Sequence, residues 1–269
     1  MEFASIFISP KMSREAMERE ISAVDSEFVC HLQDDLVRLQ GLQCHTARPG
    51  HPLNRFLWGN RKSLSNATSD SNIQDRLMKL HNEYCCAELM KLVVIGGESL
   101  EVLESWVNQL FSSVKRGSLA KNETSFDGPI WKGEKIYKLE AVGDVHILEL
   151  SWPLPSQAKD YQKKSEEYIA HLLGHGPAHK APSTSKYLDP GKIQDRIEGK
   201  GSIFYLLKTR GWASQLSAGV SGDGIYSSSI AYILRLIIHL SDDGVEKIFE
   251  VIDCVYQYIK QIVQLSPQK

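Results

Sequence analysis

The sequence lacks a hydrophobic run long enough to cross a bilayer. A transmembrane helix needs roughly 20 consecutive apolar residues, and the longest apolar run here, residues 230–240, is interrupted by Arg235 and His239. The first residues also lack the basic segment and the cleavage site of a secretory signal peptide. We therefore expect no membrane partner and a cytoplasmic location.

Cysteine is scarce, and the charges nearly balance. The five cysteines are odd in number and irregularly spaced, which does not indicate a disulfide framework or a zinc knuckle. We expect reduced thiols of the cytosolic type. The formal net charge of -2 supplies no basic surface, so we expect no nucleic-acid partner.

Several local signatures of enzymes are also missing. The sequence contains no phosphate-binding loop, no G-x-S-x-G turn and no dinucleotide fingerprint. Each of these motifs builds its site from a short stretch of backbone, so nothing supports a nucleotide-dependent enzyme or a serine hydrolase.

What is present is a globular composition with regular periodicity. Apolar residues make up 42% of the chain and charged residues 24%, which is typical of a protein with a hydrophobic core. The patterning predicts an α+β fold in which helices pack on mixed or antiparallel sheets. Helices are predicted over 13–39, 72–87, 98–115, 159–174, 201–210 and 242–265, and strands over 3–8, 91–95, 135–141, 145–152, 213–220 and 226–240.

Four segments carry a family resemblance. They are Met17–Phe28 with the sequence MEREISAVDSEF, Gly50–Asn60 with GHPLNRFLWGN, Leu89–Leu100, and Gly199–Trp212. In these motifs the chain resembles the insulinase/pitrilysin family of zinc metallopeptidases. The resemblance implies two insulinase-type α/β-sandwich domains, both incomplete in this chain.

The resemblance also implies a domain map. Residues 1–115 are similar to the C-terminal part of the catalytic domain, and residues 134–269 to the N-terminal part of a second, non-catalytic domain. Residues 116–133, rich in Gly, Ser, Lys and Asn, are predicted to link them. Residues 176–197 contain three prolines and no periodic apolar face, so we predict a disordered surface insertion there.

The implied chemistry is zinc-dependent peptide hydrolysis. Inverzincins bind zinc through both histidines of H-x-x-E-H and use its Glu as general base. By resemblance, Glu27 is the third zinc ligand, and Glu20, two helical turns earlier, supports the site without binding the metal. Without the surrounding motif, two glutamates spaced by seven residues are more typical of a solvated helix face.

The histidine pair is missing from this sequence. H-x-x-E-H occurs nowhere in the 269 residues, and the resemblance implies that it lies upstream of Met1. Catalytic zinc takes three protein ligands. We therefore expect zinc in the intact family member, no stably bound zinc in this chain, and no peptidase activity from it alone.

The resemblance further implies an exosite that anchors the amino terminus of a peptide substrate. A peptide can add as a strand to a sheet edge, where small residues permit close backbone approach. For Ala218 and Gly219, an ordinary strand end is the simpler interpretation. The exosite residues by resemblance are His171, Gly174, His175, Glu198, Gly199, Ala218 and Gly219.

Two functional hypotheses remain open from the sequence. The chain is either a fragment of a zinc metalloendopeptidase, with peptides as substrates, or a non-catalytic relative. The non-catalytic relative would bind peptides or would pair with itself or with a full-length family member.

Overall fold

The computed structural model has an α+β architecture, which confirms the predicted fold class. In the part of the chain that the structure describes, the sheet has three strands, all antiparallel. Among the described helices, none is both long and apolar enough to cross a membrane. The structure describes residues 2–64, 73–117, 128–133, 135–157, 162–174, 200–221, 225–228 and 230–264.

The elements follow the chain in a mixed order. The helices are α1 (Glu2–Ile8), α2 (Arg14–His31), α3 (Asp35–Thr46), α4 (Ile73–Tyr84), α5 (Leu100–Phe111), α6 (Ser165–Gly174), α7 (Ile203–Thr209), α8 (Asp242–Glu246) and α9 (Ile248–Gln264). The strands are β1 (Ile147–Pro153), β2 (Ala213–Val220) and β3 (Ile233–Leu240).

The chain divides into two compact units. The N-terminal unit combines Met1–Gln33 with Phe56–Glu123, and the C-terminal unit combines Asp34–Arg55 with Thr124–Lys269. This grouping differs from the predicted linear map, because residues 34–55 cluster with the second half of the chain. The family domain boundaries themselves stay a prediction.

Two helices replace the single helix predicted over 13–39. The Ser13 hydroxyl accepts a hydrogen bond from the Ala16 amide at 3.2 Å and caps α2, as expected. A second cap then follows at Asp34, whose carboxylate accepts the amides of Leu36 and Val37 at 2.9 and 3.3 Å. Because such a side chain satisfies the first free amides of a helix, α3 begins as a separate element.

Two predicted strands of the N-terminal unit are wrong. Residues 3–8 lie in helix α1, where Phe3 packs edge-on against Phe7 one turn later, with ring centroids 5.3 Å apart. A short apolar run does not distinguish a strand from a helix by periodicity alone. Residues 91–95 form no strand and are exposed throughout.

The N-terminal unit has almost no hydrophobic core in its described part. Its buried apolar residues there are Ala4 and Cys86. By contrast, Val93 is 80% exposed and Ile95 is 94% exposed, and α5 has no buried residue. Since burial of apolar surface is the main driving force of folding, this unit has little to stabilise it by itself.

The C-terminal unit is built on the sheet, in the order β1-β3-β2. Leu236 at the centre of β3 faces Leu150 of β1 and Ala218 of β2. On one face of the sheet, α6, α7 and α9 cover the alternating apolar side chains. The predicted strand over 135–141 is not present, and the one over 226–240 is shorter than expected.

Helix α3 is fixed within the C-terminal unit by polar contacts. The Asp35 carboxylate accepts the amides of Val142 and Gly143, at 3.0 and 2.9 Å. The Trp131 indole donates to the Gln43 carbonyl oxygen at 3.1 Å. These contacts explain why residues 34–55 group with the sheet.

Candidate functional site

A buried ion pair lies on the sheet face that α3 approaches. Arg235 of β3 donates from Nε and a terminal nitrogen to the two Glu149 carboxylate oxygens of β1, at 2.9 and 2.7 Å. The Glu149 side chain is 5% exposed and that of Arg235 is 14% exposed. The pair is bidentate, which is the strongest geometry for such a contact.

Three more side chains complete this polar network. Gln43 of α3 donates to Glu149 at 2.6 Å, and the Ser151 hydroxyl donates to the same oxygen at 2.7 Å. The Tyr226 hydroxyl donates to the Gln43 side-chain oxygen, and the Arg235 guanidinium lies 4.5 Å from the centre of the Tyr226 ring. The network therefore joins α3, β1 and β3.

Opposing influences set the pKa of Glu149. Burial acts to raise it, whereas the hydrogen bonds and charge of Arg235, aided by Ser151 and Gln43, lower it. The lowering influences prevail, so the pKa of Glu149 lies below its ordinary value. The carboxylate is charged at neutral pH.

A cavity of about 490 Å³ opens beside this network, between α3 and the edge strand β2. Its lining combines small residues of β2 with a mixed polar and apolar wall from α3 and β3. The lining residues are Asp34, Leu36, Val37, Gln40, Ser217, Ala218, Gly219, Ser221, Tyr226, Arg235 and Ile237. We call this cavity, with Ser217–Gly219 of β2, the edge site.

Of the predicted exosite residues that the structure describes, Ala218 and Gly219 line the cavity, whereas Gly174 lies on the opposite, core-facing side of β2. Gly174 ends α6 directly against Leu216 of β2, so closely that an added methyl group would overlap the Leu216 side chain. Gly174 also has a φ of +128°, a conformation that favours glycine. Ala218 and Gly219 line the cavity on the same strand. His171, on α6, is exposed.

The other exosite residues lie outside the described residues. They are His175, Glu198 and Gly199, together with the predicted insertion over 176–197. Their roles stay predictions.

The two N-terminal family motifs contact each other. Asp25 of α2 accepts the Arg61 amide at 2.7 Å. The Phe28 and Phe56 rings lie 5.5 Å apart, and a methyl group added to Gly59 would crowd Val24. The motif that carries Glu27 thus serves also as a packing surface for the segment that begins at Phe56.

Glu20 and Glu27 both lie exposed on α2. His31, one turn after Glu27, packs against Trp58 with ring centroids 4.9 Å apart and the rings tilted by 44°. Within the described residues, no group of three or more His, Cys, Asp or Glu side chains is arranged to hold a metal ion. Since catalytic zinc takes three protein ligands, the described residues alone do not fit a zinc ion.

Sequence reasoning missed the Glu149–Arg235 network. A signal was available, because each of the two strands carries a single Glu or Arg in a mainly apolar stretch. A buried charge is rarely tolerated without a partner. Two such strands in one chain therefore indicate an ion pair across the sheet.

Comparison with known proteins identifies the family. The family model described as the peptidase M16 inactive domain matches residues 72–269. The chain is 51% identical over 268 residues to a nardilysin-like protein of Arabidopsis thaliana and 34% identical over 274 residues to nardilysin of Rattus norvegicus. The chain belongs to the M16 peptidase family, which confirms the resemblance to insulinase-type peptidases.

A solved structure shows the same fold. The crystal structure of pitrilysin aligns with a TM-score of 0.77 at 19% identity, covering 97% of this chain and 25% of that one. The sequence alignments with the Arabidopsis and rat relatives likewise include 99% of this chain, but only 24% and 22% of those proteins. It spans about a quarter of the length of the proteins it matches.

Proposed function

We propose that this chain is part of a zinc metallopeptidase that hydrolyses peptides, and that the chain itself binds peptide at the edge site without cleaving it. The membership of the M16 peptidase family supports peptide as the ligand. The proposal of binding rests on the edge site.

The observation that carries this function is the position of β2. In the described part of the chain, β2 lies at the edge of the sheet, paired on one side with β3. An edge strand presents backbone donors and acceptors to which an extended peptide can pair as an additional strand. Ser217–Gly219 would make this approach close, because their side chains are small.

The cavity beside β2 supplies the means of holding a peptide side chain. Its lining includes the charged residues Asp34 and Arg235 and the apolar residues Leu36 and Ile237. Pockets for alternate side chains confer sequence preference on peptides that pair with a sheet edge.

Hydrolysis would require metal ligands beyond those described. Glu27 supplies one carboxylate, and the described residues hold no metal-binding group around it. Under this proposal, Glu27 completes a zinc site only with a histidine pair outside this chain, and Glu20 supports it.

A single substitution tests the edge site. Nothing lies within 4 Å of a methyl group built on Gly219, so Gly219→Val would fill cavity space without a steric clash. The probe is a fluorescein-labelled decapeptide of alternating threonine and valine with a free amino terminus. We expect about tenfold weaker binding by fluorescence anisotropy.

The matched control is Gln215→Val. Gln215 is an exposed residue of the same strand that does not line the cavity. Its substitution adds the same side chain and should leave peptide affinity unchanged. Equal affinities of the unchanged chain and the Gly219→Val variant would show that the peptide binds elsewhere.

A further inference from the structure

Helix α9 carries apolar residues on two adjoining faces, one buried in the core and one partly exposed. Val251 and Val255 are fully buried in the core of the C-terminal unit. A second series recurs at alternating spacings of three and four residues. Two of its five members, Ile252 and Ile259, are partly buried against the same core, and the other three are exposed. This series, the α9 stripe, comprises Phe249, Ile252, Tyr256, Ile259 and Val263.

The exposed members of the stripe are large. Phe249 is 68% exposed, Tyr256 is 50% exposed and Val263 is 79% exposed. Tyr256 is held in place by Trp152 of β1, whose ring meets it edge-on at 6.2 Å. Apolar residues spaced this way form the seam of paired helices.

The stripe is flanked by one acidic and one basic residue, which would attract each other between two antiparallel copies of the helix. Asp253 and Lys260 are both exposed, lie one heptad apart and flank the stripe on the same side. In an antiparallel pair of identical helices, residues at this heptad position face each other across the seam. Asp253 would therefore meet Lys260 of the partner subunit, and the two-fold axis would repeat that ion pair.

The alignment of the two helices that pairs these charges also brings apolar residues of the two stripes into contact. When Asp253 faces Lys260 of the partner subunit, Tyr256 packs against Ile259 of the partner subunit. Ile252 then packs against Val263 of the partner subunit. One register thus satisfies the stripe and both charges.

We infer that a second copy of this chain docks on the α9 stripe in an antiparallel, two-fold arrangement. One helix face is smaller than the roughly 800 Å² per partner of a standard interface. The dimer is therefore weak, with a dissociation constant in the micromolar range.

A charge exchange in the full chain tests this pairing. Lys260→Asp places like charges opposite each other at two sites, and Asp253→Lys does the same. Each single variant should weaken dimerisation by about tenfold in sedimentation velocity over a dilution series. The double variant Asp253→Lys with Lys260→Asp restores opposite charges and should recover the affinity.

The control variant is Gln261→Asp, which introduces the same residue at an exposed position outside the stripe. It should dimerise as the unchanged chain does. At concentrations at which every variant is monomeric, the melting temperatures should lie close together, since the altered residues are exposed. A chain that stays monomeric at every concentration, or a double variant that dimerises as weakly as the singles, would overturn the pairing. Dimerisation that ignores every charge change would place the contact on another surface.

Discussion

The Glu149 carboxylate joins β1, β3 and α3 through one buried group. Removing its charge with Glu149→Gln leaves Arg235 buried beside a neutral amide. Loss of one member of a buried ion pair costs about 3–5 kcal/mol, so we expect a decrease of this size in the free energy of unfolding, measured by urea titration. The control is Glu250→Gln, which breaks an exposed pair with Lys247 and should leave stability unchanged.

The same carboxylate should make stability depend on pH. Because the pKa of Glu149 lies below its ordinary value of 4.5 in the folded chain, its contribution is fully present above that pH. It is lost as pH falls through the folded-state pKa. The difference in unfolding free energy between the unchanged chain and Glu149→Gln should thus be constant near neutrality and shrink below about pH 4.5. A difference that does not change with acidification would contradict this role.

The backbone conformation at position 174 favours glycine. Gly174→Ala would strain a positive φ and press a methyl group into Leu216, costing about 1–3 kcal/mol. The matched control is Gly41→Ala within α3, where nothing lies within 4 Å of an added methyl group. That change should stabilise the chain by about 1 kcal/mol. Thermal unfolding of both variants should show a lower melting temperature for Gly174→Ala and a higher one for Gly41→Ala. Equal changes in melting temperature would contradict the need for glycine at position 174.

At the scale of helices and strands, the sequence predicted correctly those elements that depend on capping residues and on the local apolar pattern. The cap at Ser13 and the strand over 213–220 follow the sequence closely. The prediction over 13–39 failed because Asp34 starts a new helix. The prediction over 91–95 failed for a different reason: a strand requires a neighbour, and the sequence pattern does not show whether one exists.

In the candidate site, too, some residues could be predicted from the sequence and others could not. The family resemblance pointed to Gly174, Ala218 and Gly219, and the structure places the last two beside the cavity and Gly174 against Leu216 on the other face of β2. The Gln43–Glu149–Arg235 contacts join residues far apart in the chain, and periodicity carries no information on such pairs. Sequence therefore predicted the edge strand better than the network beneath it.

The two units should differ in local stability. β3 and α9 belong to a continuous core, whereas α2 and α5 contain no buried residue. Protection against hydrogen exchange depends on such burial. We expect amides of α2 and α5 to exchange much faster than those of β3 and α9, as measured by mass spectrometry on the full chain. Comparable protection in both units would mean that the N-terminal unit has a source of stability beyond the described contacts.

At the scale of the whole molecule, the chain spans about a quarter of the length of its relatives and carries both the cavity beside β2 and the motif around Glu27, which we propose as a metal ligand. The two features would serve different steps, since peptide binding needs the C-terminal unit and hydrolysis needs a complete zinc site. The cytoplasmic location and the insertion over 176–197 stay predictions.

The separation of binding from cleavage is tested most directly by following one peptide. The full chain is incubated with the labelled decapeptide, with and without added zinc, and binding is read by anisotropy and integrity by mass spectrometry. We predict that the peptide binds and stays intact in both conditions, and that Glu27→Gln changes neither result. Zinc-dependent cleavage that disappears in Glu27→Gln would show that this chain holds a working metal site, and would contradict the account.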